Sequence, residues 1–307
     1  MIKSEKIFIA GHTGMVGSAC WKILKQRGYE NLIGLPSDKL DLTNQKATED
    51  FFLKHKPKYV INAAAKVGGI LANSIYPYDF LIQNLSIQNN LIYYSLKFNV
   101  EKFIFLGSSC IYPKHSPQPI KEEYLLNGPL EETNQWYAIA KISGLKLIES
   151  IRIQYKKNFI SLMPTNLYGP NDNYDLEKSH VLPAMIRKFH EAKLENNRDV
   201  VLWGSGNVFR EFLHVEDLAN AISFSIENNL NESIYNIGFG EEISIKNLAF
   251  LVQKVVGHKG KIIWDKLKPD GTPRKLLDSS KIRKYGWTPK ISLKEGIRET
   301  YISYLKN

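Results

Sequence analysis

The chain has 307 residues, 43% apolar and 23% charged, which suits a large α/β domain with a smaller partner and excludes a disordered chain. Lys and Arg number 41 against 31 Asp and Glu; the net charge of +10 suits a phosphate-bearing partner, and without a basic block interleaved with aromatics it does not point to nucleic acid. The two cysteines, Cys20 and Cys110, exclude a disulfide scaffold or a cysteine-rich metal site.

The apolar run after Met1–Lys6 is too short for a signal peptide, and no stretch nears the ~18 apolar residues of a membrane span, which makes the cytoplasm the default compartment. Ile7–Ala10 is apolar, is closed by a glycine-rich turn, and reads as a buried strand. Met15 to Arg27 carries Val16, Cys20, Ile23 and Leu24 at helical spacing, with Gly28 as its stop. Residues 31–35 read as a second strand, 43–56 as a helix capped by Thr43, and 59–63 as a third strand. Residues 77–99 form a long helix with Pro77 in its first turn, followed by a strand at 102–106, a second long helix at 135–157 and a strand at 159–163. Repeated β-α-β units with apolar strands imply an α/β, Rossmann-type doubly wound parallel sheet, which binds ligands at the carboxyl ends of its strands. Past Asn166 the pattern loosens into a polar loop (171–179), a helix (181–193), a strand (199–203), a βαβ-like piece (209–237), a helix (245–256), a strand (262–264) and a last helix (293–305). Residues 1–168 are therefore read as a dinucleotide-binding domain to which 208–240 return, with 169–207 and 241–307 forming a smaller C-terminal α/β substrate domain.

Gly11-His-Thr13-Gly14-Met15-Val16-Gly17 lies between the first strand and the first helix. Glycines there let the backbone approach a pyrophosphate, and the helix N-terminus offers N–H groups and the positive dipole end. The G-x-x-G-x-x-G spacing is typical of short-chain dehydrogenase/reductases. Asp41-Leu42 could meet the adenine, or Asp41 could simply shape the turn before a helix. The stretch Gly34-Leu35-Pro36-Ser37 carries neither the acid typical of NAD enzymes nor the Arg typical of NADP enzymes.

Tyr137-Ala-Ile-Ala-Lys141 puts a phenol and an ammonium on one face of a helix, where the cation is expected to lower the Tyr pKa. With Ser108 just past the fourth strand as a carbonyl ligand, these residues suit hydride transfer between NAD(P)H and a ketone. Cys110 sits two residues further along the same loop. His180 precedes a helix, where it serves either as a cap or as an acid–base group. Thiol and imidazole together suit inversion of an acidic carbon beside a ketone. Cys20 reads as a small buried hydrophobe.

Several strings carry a closer likeness: Ala10–Gly17, Ala63-Ala64-Ala65-Lys-Val-Gly-Gly-Ile70, Gly107-Ser-Ser-Cys-Ile-Tyr-Pro-Lys114, Tyr137–Lys141, Met163–Pro170, Arg210–Val215 and Lys268-Pro-Asp-Gly-Thr-Pro-Arg-Lys275. Over nearly its whole length the chain resembles the GDP-L-fucose synthases, extended short-chain dehydrogenase/reductases that epimerise C3 and C5 and reduce C4 of a GDP-4-keto-6-deoxysugar. The resemblance implies Ser108, Tyr137 and Lys141 as the reductase triad, with Cys110 and His180 as the epimerisation base and acid. It implies NADPH, with NADH left open by the Leu35–Ser37 stretch. Cofactor contacts would fall on Gly11, Thr13–Gly17, Asp41, Leu42, Ala63–Ala65, Leu106, Gly107, Lys141, Pro164, Thr165, Asn166, Leu167 and His180. Substrate contacts would fall on Ser109, Asn166, Lys188, Trp203, Arg210 and Asp270. A homodimer pairing the two long helices is implied as well. The family's Arg pair is Arg187-Lys188 here, and Gln135-Trp136 reshapes the approach to Tyr137 or packs in the core. The nearest rival is a C4-reductase without epimerisation, acting on a related sugar such as a heptose. A 4-epimerase with retained NAD fits the Cys110/His180 pair less well, and a non-catalytic nucleotide sensor does not need an intact Ser–Tyr–Lys set.

Overall fold

β1 (Ile7–Ala10) is buried along its whole length, as a parallel strand must be when helices cover both faces. Ile7 and Ile9 point into one apolar cluster, Phe8 and Ala10 into another. The computed structural model describes residues 3–268 and 270–306; Pro269, within the Lys268–Lys275 string, lies outside the described residues, as do Met1 and Ile2 of the N-terminal run. After β1 come α1 (Met15–Gln26), β2 (Leu32–Ile33), α2 (Gln45–His55), β3 (Tyr59–Asn62), α3 (Ile70–Ile75), α4 (Pro77–Lys97), β4 (Lys102–Leu106), α5 (Gln135–Tyr155), β5 (Asn158–Pro164) and β6 (Asn166–Tyr168). The second half runs α6 (Val181–Leu194), β7 (Val200–Trp203), β8 (Phe209–His214), α7 (Val215–Glu227), β9 (Ile234–Ile237), β10 (Glu242–Ser244), α8 (Ile245–Val256), β11 (Ile262–Asp265), β12 (Arg274–Lys275), α9 (Ser280–Arg283) and α10 (Leu293–Tyr304).

Most of these bounds match the sequence expectation to within a residue or two. The cap of α2 does not: Asn44, not Thr43, accepts from Ala47 N–H, because Thr43 is drawn into a turn by Asp41. The main sheet is parallel, in the order β2-β1-β3-β4-β5-β9. The chain leaves β1 toward β2 and returns on the other side to β3, which makes the β1/β3 crevice the switch point where such sheets bind ligands. Of the segment 208–240, α7 packs on α1 and β9 joins the main sheet. β8 does not: it is the hub of a second sheet, pairing with β6, β10 and β12. β7 and β11 form a separate parallel pair, and α6, α8, α10 and their strands share a third apolar cluster.

Candidate active site

The glycine turn is dictated by close contact at the switch point. Gly11 has φ +77, and a Cβ on it would lie 2.8 Å from the Ala64 backbone nitrogen. On Gly17 a Cβ would lie 2.0 Å from the Gly11 carbonyl oxygen. Gly14 differs, because its Cβ position meets only Gly11 O, at 3.5 Å, and the space beyond is open. It is the N-cap of α1 with no side chain capping the helix, which leaves the first-turn N–H groups for an anion. These features fit the pyrophosphate of a dinucleotide. Ala63–Ala65 follow β3 beside this turn, Ala63 N–H donating to Ala10 O at 3.0 Å. Leu106 and Gly107 end β4, and a Cβ on Gly107 would lie 2.2 Å from Met163 Sδ. At the end of β5, Thr165 Oγ1 and Asn166 Nδ2 both donate to Glu211 O, at 3.2 and 2.7 Å, tying this edge to β8. Asp41 is exposed, and its Oδ1 accepts from Thr43 N–H and Oγ1, which holds its carboxyl below the usual range. The turn-shaping reading of Asp41 is therefore what its carboxylate does among the chain's own groups.

β4 delivers Ser108 to the head of a short 3-10 turn, where its Oγ accepts from Cys110 N–H at 3.2 Å. Tyr137 and Lys141 lie one turn apart on α5, and Lys141 Nζ sits 5.7 Å from the Tyr137 ring centroid. The expected lowering of the Tyr137 pKa is reversed. Burial, with Cys110 adding to it, pushes the phenol above its ordinary range. Lys141 is only 3% exposed, donates to Leu106 O at 2.8 Å, and is itself pushed down to about 7 by burial. Desolvation disfavours the charged form of both groups, which raises the phenol and lowers the ammonium. The phenol thus stays protonated at neutral pH, which is the form a proton donor needs.

Cys110 is half-buried, and its sulfur accepts from Asn134 Nδ2 at 3.5 Å and from Lys275 Nζ at 3.6 Å. His180 is the N-cap residue of α6 but makes no side-chain cap bond, so the capping alternative does not describe it. Desolvation by the surrounding protein, and then the charge of Lys275, hold its imidazole below the ordinary range. Lys275 and Asn134 escaped the sequence reading as site residues. Asn134 lies just before the Tyr137–Lys141 motif but outside its spacing, whereas Lys275 closes the Lys268–Lys275 string and could have been found there.

Trp203 is 47% exposed and flanked by the ammonium groups of Lys268 and Lys188, at 5.2 and 5.9 Å from its ring. Lys188 Nζ also donates to Val201 O at 3.0 Å. Arg210 donates to the Phe209 and Asp270 carbonyl oxygens at 2.7 and 3.3 Å, which fixes its guanidinium on the rim beside Cys110. Asp270 Oδ1 accepts from Ser205 N–H at 2.8 Å and so shapes the turn after β7. Ser109 is buried, the least accessible of the residues expected to contact substrate. Trp136 is exposed, so it is not core packing.

Residues 7–238 match the NAD dependent epimerase/dehydratase family, and the chain belongs to that family. Within it, the chain is 57% identical to putative GDP-L-fucose synthase 2 of Arabidopsis thaliana, over 99% of this chain and 93% of the relative. It is 48% identical to GDP-L-fucose synthase of Escherichia coli (strain K12), over 100% of this chain and 98% of the relative. Among solved structures, a GDP-mannoheptose C4 reductase from Campylobacter jejuni with NADP bound is 40% identical over 99% of each chain, with a TM-score of 0.92.

Proposed function

We propose that this chain is an NADPH-dependent 3,5-epimerase and 4-reductase of a GDP-4-keto-6-deoxysugar, acting as GDP-L-fucose synthases do. The observation that carries the reading is that Tyr137 and Lys141 share one cleft with Cys110 and His180, so a proton donor for a ketone oxygen lies beside a thiol and an imidazole. NADPH, when bound, supplies the hydride that reaches the ketone carbon. Gly14, whose Cβ position faces open space at the head of α1, would admit its diphosphate in the turn that Gly11 and Gly17 let close, and Lys141, fixed by Leu106 O, would hold its ribose. Ser108 orients the ketone oxygen, and Tyr137 gives it a proton. The phenolate left behind faces Lys141, whose charge then offsets it.

Before reduction, Cys110 and His180 work on opposite faces of each carbon beside the ketone, one removing a proton and the other returning one. Arg210, permanently charged and planar, takes the GDP diphosphate, and Trp203 offers its face to the guanine. The faces of α4 and α5 carrying Tyr78, Ile82, Tyr93, Ile139 and Leu147 are exposed and apolar and support a homodimer through these helices. No helix among the described residues is long and apolar enough to cross a membrane. Two unpaired cysteines suit the reducing cytoplasm.

The test is incubation with GDP-4-keto-6-deoxymannose and NADPH, then with NADH, with the product read by NMR. The reading predicts consumption of reduced cofactor and inversion at C3 and C5. A second reading, C4 reduction alone on a related sugar such as a heptose, is favoured by the likeness to the heptose reductase. It predicts a product that keeps both neighbouring centres. No oxidation of either cofactor by any GDP-4-keto sugar would defeat both.

A further inference from the structure

Resting on that reading, we propose that Lys275 is a positioning residue of the epimerisation half-reaction: it holds the Cys110 sulfur and stabilises the negative charge that sulfur carries during proton exchange. β12 lies parallel to β8 with Lys275 opposite Arg210, which places Lys275 on the strand beside Arg210. From there Lys275 Nζ donates to Cys110 Sγ at 3.6 Å, and its charge also reaches His180 and disfavours an imidazolium there. Asn134 donates to the same sulfur as a neutral partner. Among the described residues, Tyr137 on α5 and Arg210 on β8 also interact electrostatically with Cys110, and Arg210 in turn feels Asp270 and Glu131. Lys275 thus places a cation in direct contact with the reacting sulfur.

The proton balance makes that contact matter in either direction. If Cys110 is the base, its thiolate takes the proton from carbon, giving thiol and enolate. If it is the acid, its thiol gives a proton to the enolate carbon and becomes thiolate. Both routes pass through a thiolate, and an ammonium beside it lowers the energy of that state. Hydride transfer at C4 with Tyr137 as donor places no charge on sulfur.

Two rates separate these demands. Deuterium uptake beside the ketone, from D2O into GDP-4-keto-6-deoxymannose without reduced cofactor, reads epimerisation. Oxidation of GDP-L-fucose by NADP+ reads hydride transfer without inversion, and shows that a variant is folded. For Lys275→Met the ratio of the first rate to the second, both at saturation, is expected to fall by about a hundredfold or more. Lys275→Arg, which keeps the charge, is expected to recover that ratio to within about tenfold of wild type. An unchanged ratio in Lys275→Met, an equal loss of both rates, or an Arg variant as poor as the Met variant overturns the proposal. If the wild-type protein shows neither rate, the reading of the site fails and this assignment falls with it.

Discussion

Lys141 is buried with its ammonium donating to Leu106 O, and Lys102 is buried with its ammonium donating to the Ser225, Ile226 and Asn228 carbonyls at the end of α7. Burial pushes Lys141 down to about 7 and Lys102 to about 8. Both values lie below that of an unfolded lysine, so between the folded and unfolded values the unfolded chain binds more protons, and stability rises with pH. This contribution is complete above the unfolded value and lost as pH falls through the folded one. Unfolding by urea is therefore expected to show a gain in stability between about pH 7 and pH 9 that is smaller in Lys141→Met than in wild type, and equal gains would contradict the assigned burial. The cysteines give a second prediction. Cys20 is 1% exposed with its thiol pushed up to about 12, whereas Cys110 opens into the cleft. Brief iodoacetamide treatment of the native protein should label Cys110 and spare Cys20 in a peptide mass analysis; the reverse pattern would misplace the site.

At the scale of elements, the β1–α1 turn makes its glycines unequal. A methyl on Gly17 would collide with the Gly11 backbone, which cannot yield without moving β1. Gly17→Ala is therefore expected to cost about 1–3 kcal/mol, and Gly14→Ala, whose methyl meets open space, much less. Thermal unfolding of the two variants separates them, and equal losses would mean that the turn is not packed as described. This turn was legible in the sequence because its signal is local, with three glycines between an apolar strand and an amphipathic helix. So were the long helices, whose periodicity spans several turns. β6, β10 and β12 were not, because two or three residues carry no period, and each exists only by pairing with β8. Lys275 was visible in the Lys268–Lys275 string, but its contact with Cys110 was not, since it depends on the β12–β8 register across 165 positions of chain. The direction of the Tyr137 shift was missed for a related reason. The four-residue spacing to Lys141 is visible in the sequence, but the depth at which both groups are buried is set by tertiary packing.

For the whole molecule, the exposed apolar faces of α4 and α5 predict a dimer. Ile82→Arg combined with Leu147→Arg should halve the mass seen by light scattering, and a monomeric wild type would contradict the prediction. In the proposed function one cleft, at the carboxyl ends of β1, β3, β4 and β5, serves two separable reactions. In the proposed reading Tyr137 completes the reduction, while Cys110 and His180 invert the neighbouring carbons. Tyr137→Phe removes one hydroxyl and tests that division directly. With GDP-4-keto-6-deoxymannose and NADPH in D2O, the variant is expected to lose cofactor oxidation by about a hundredfold or more while still taking up deuterium beside the ketone. Cofactor oxidation at the wild-type rate in that variant would contradict the account.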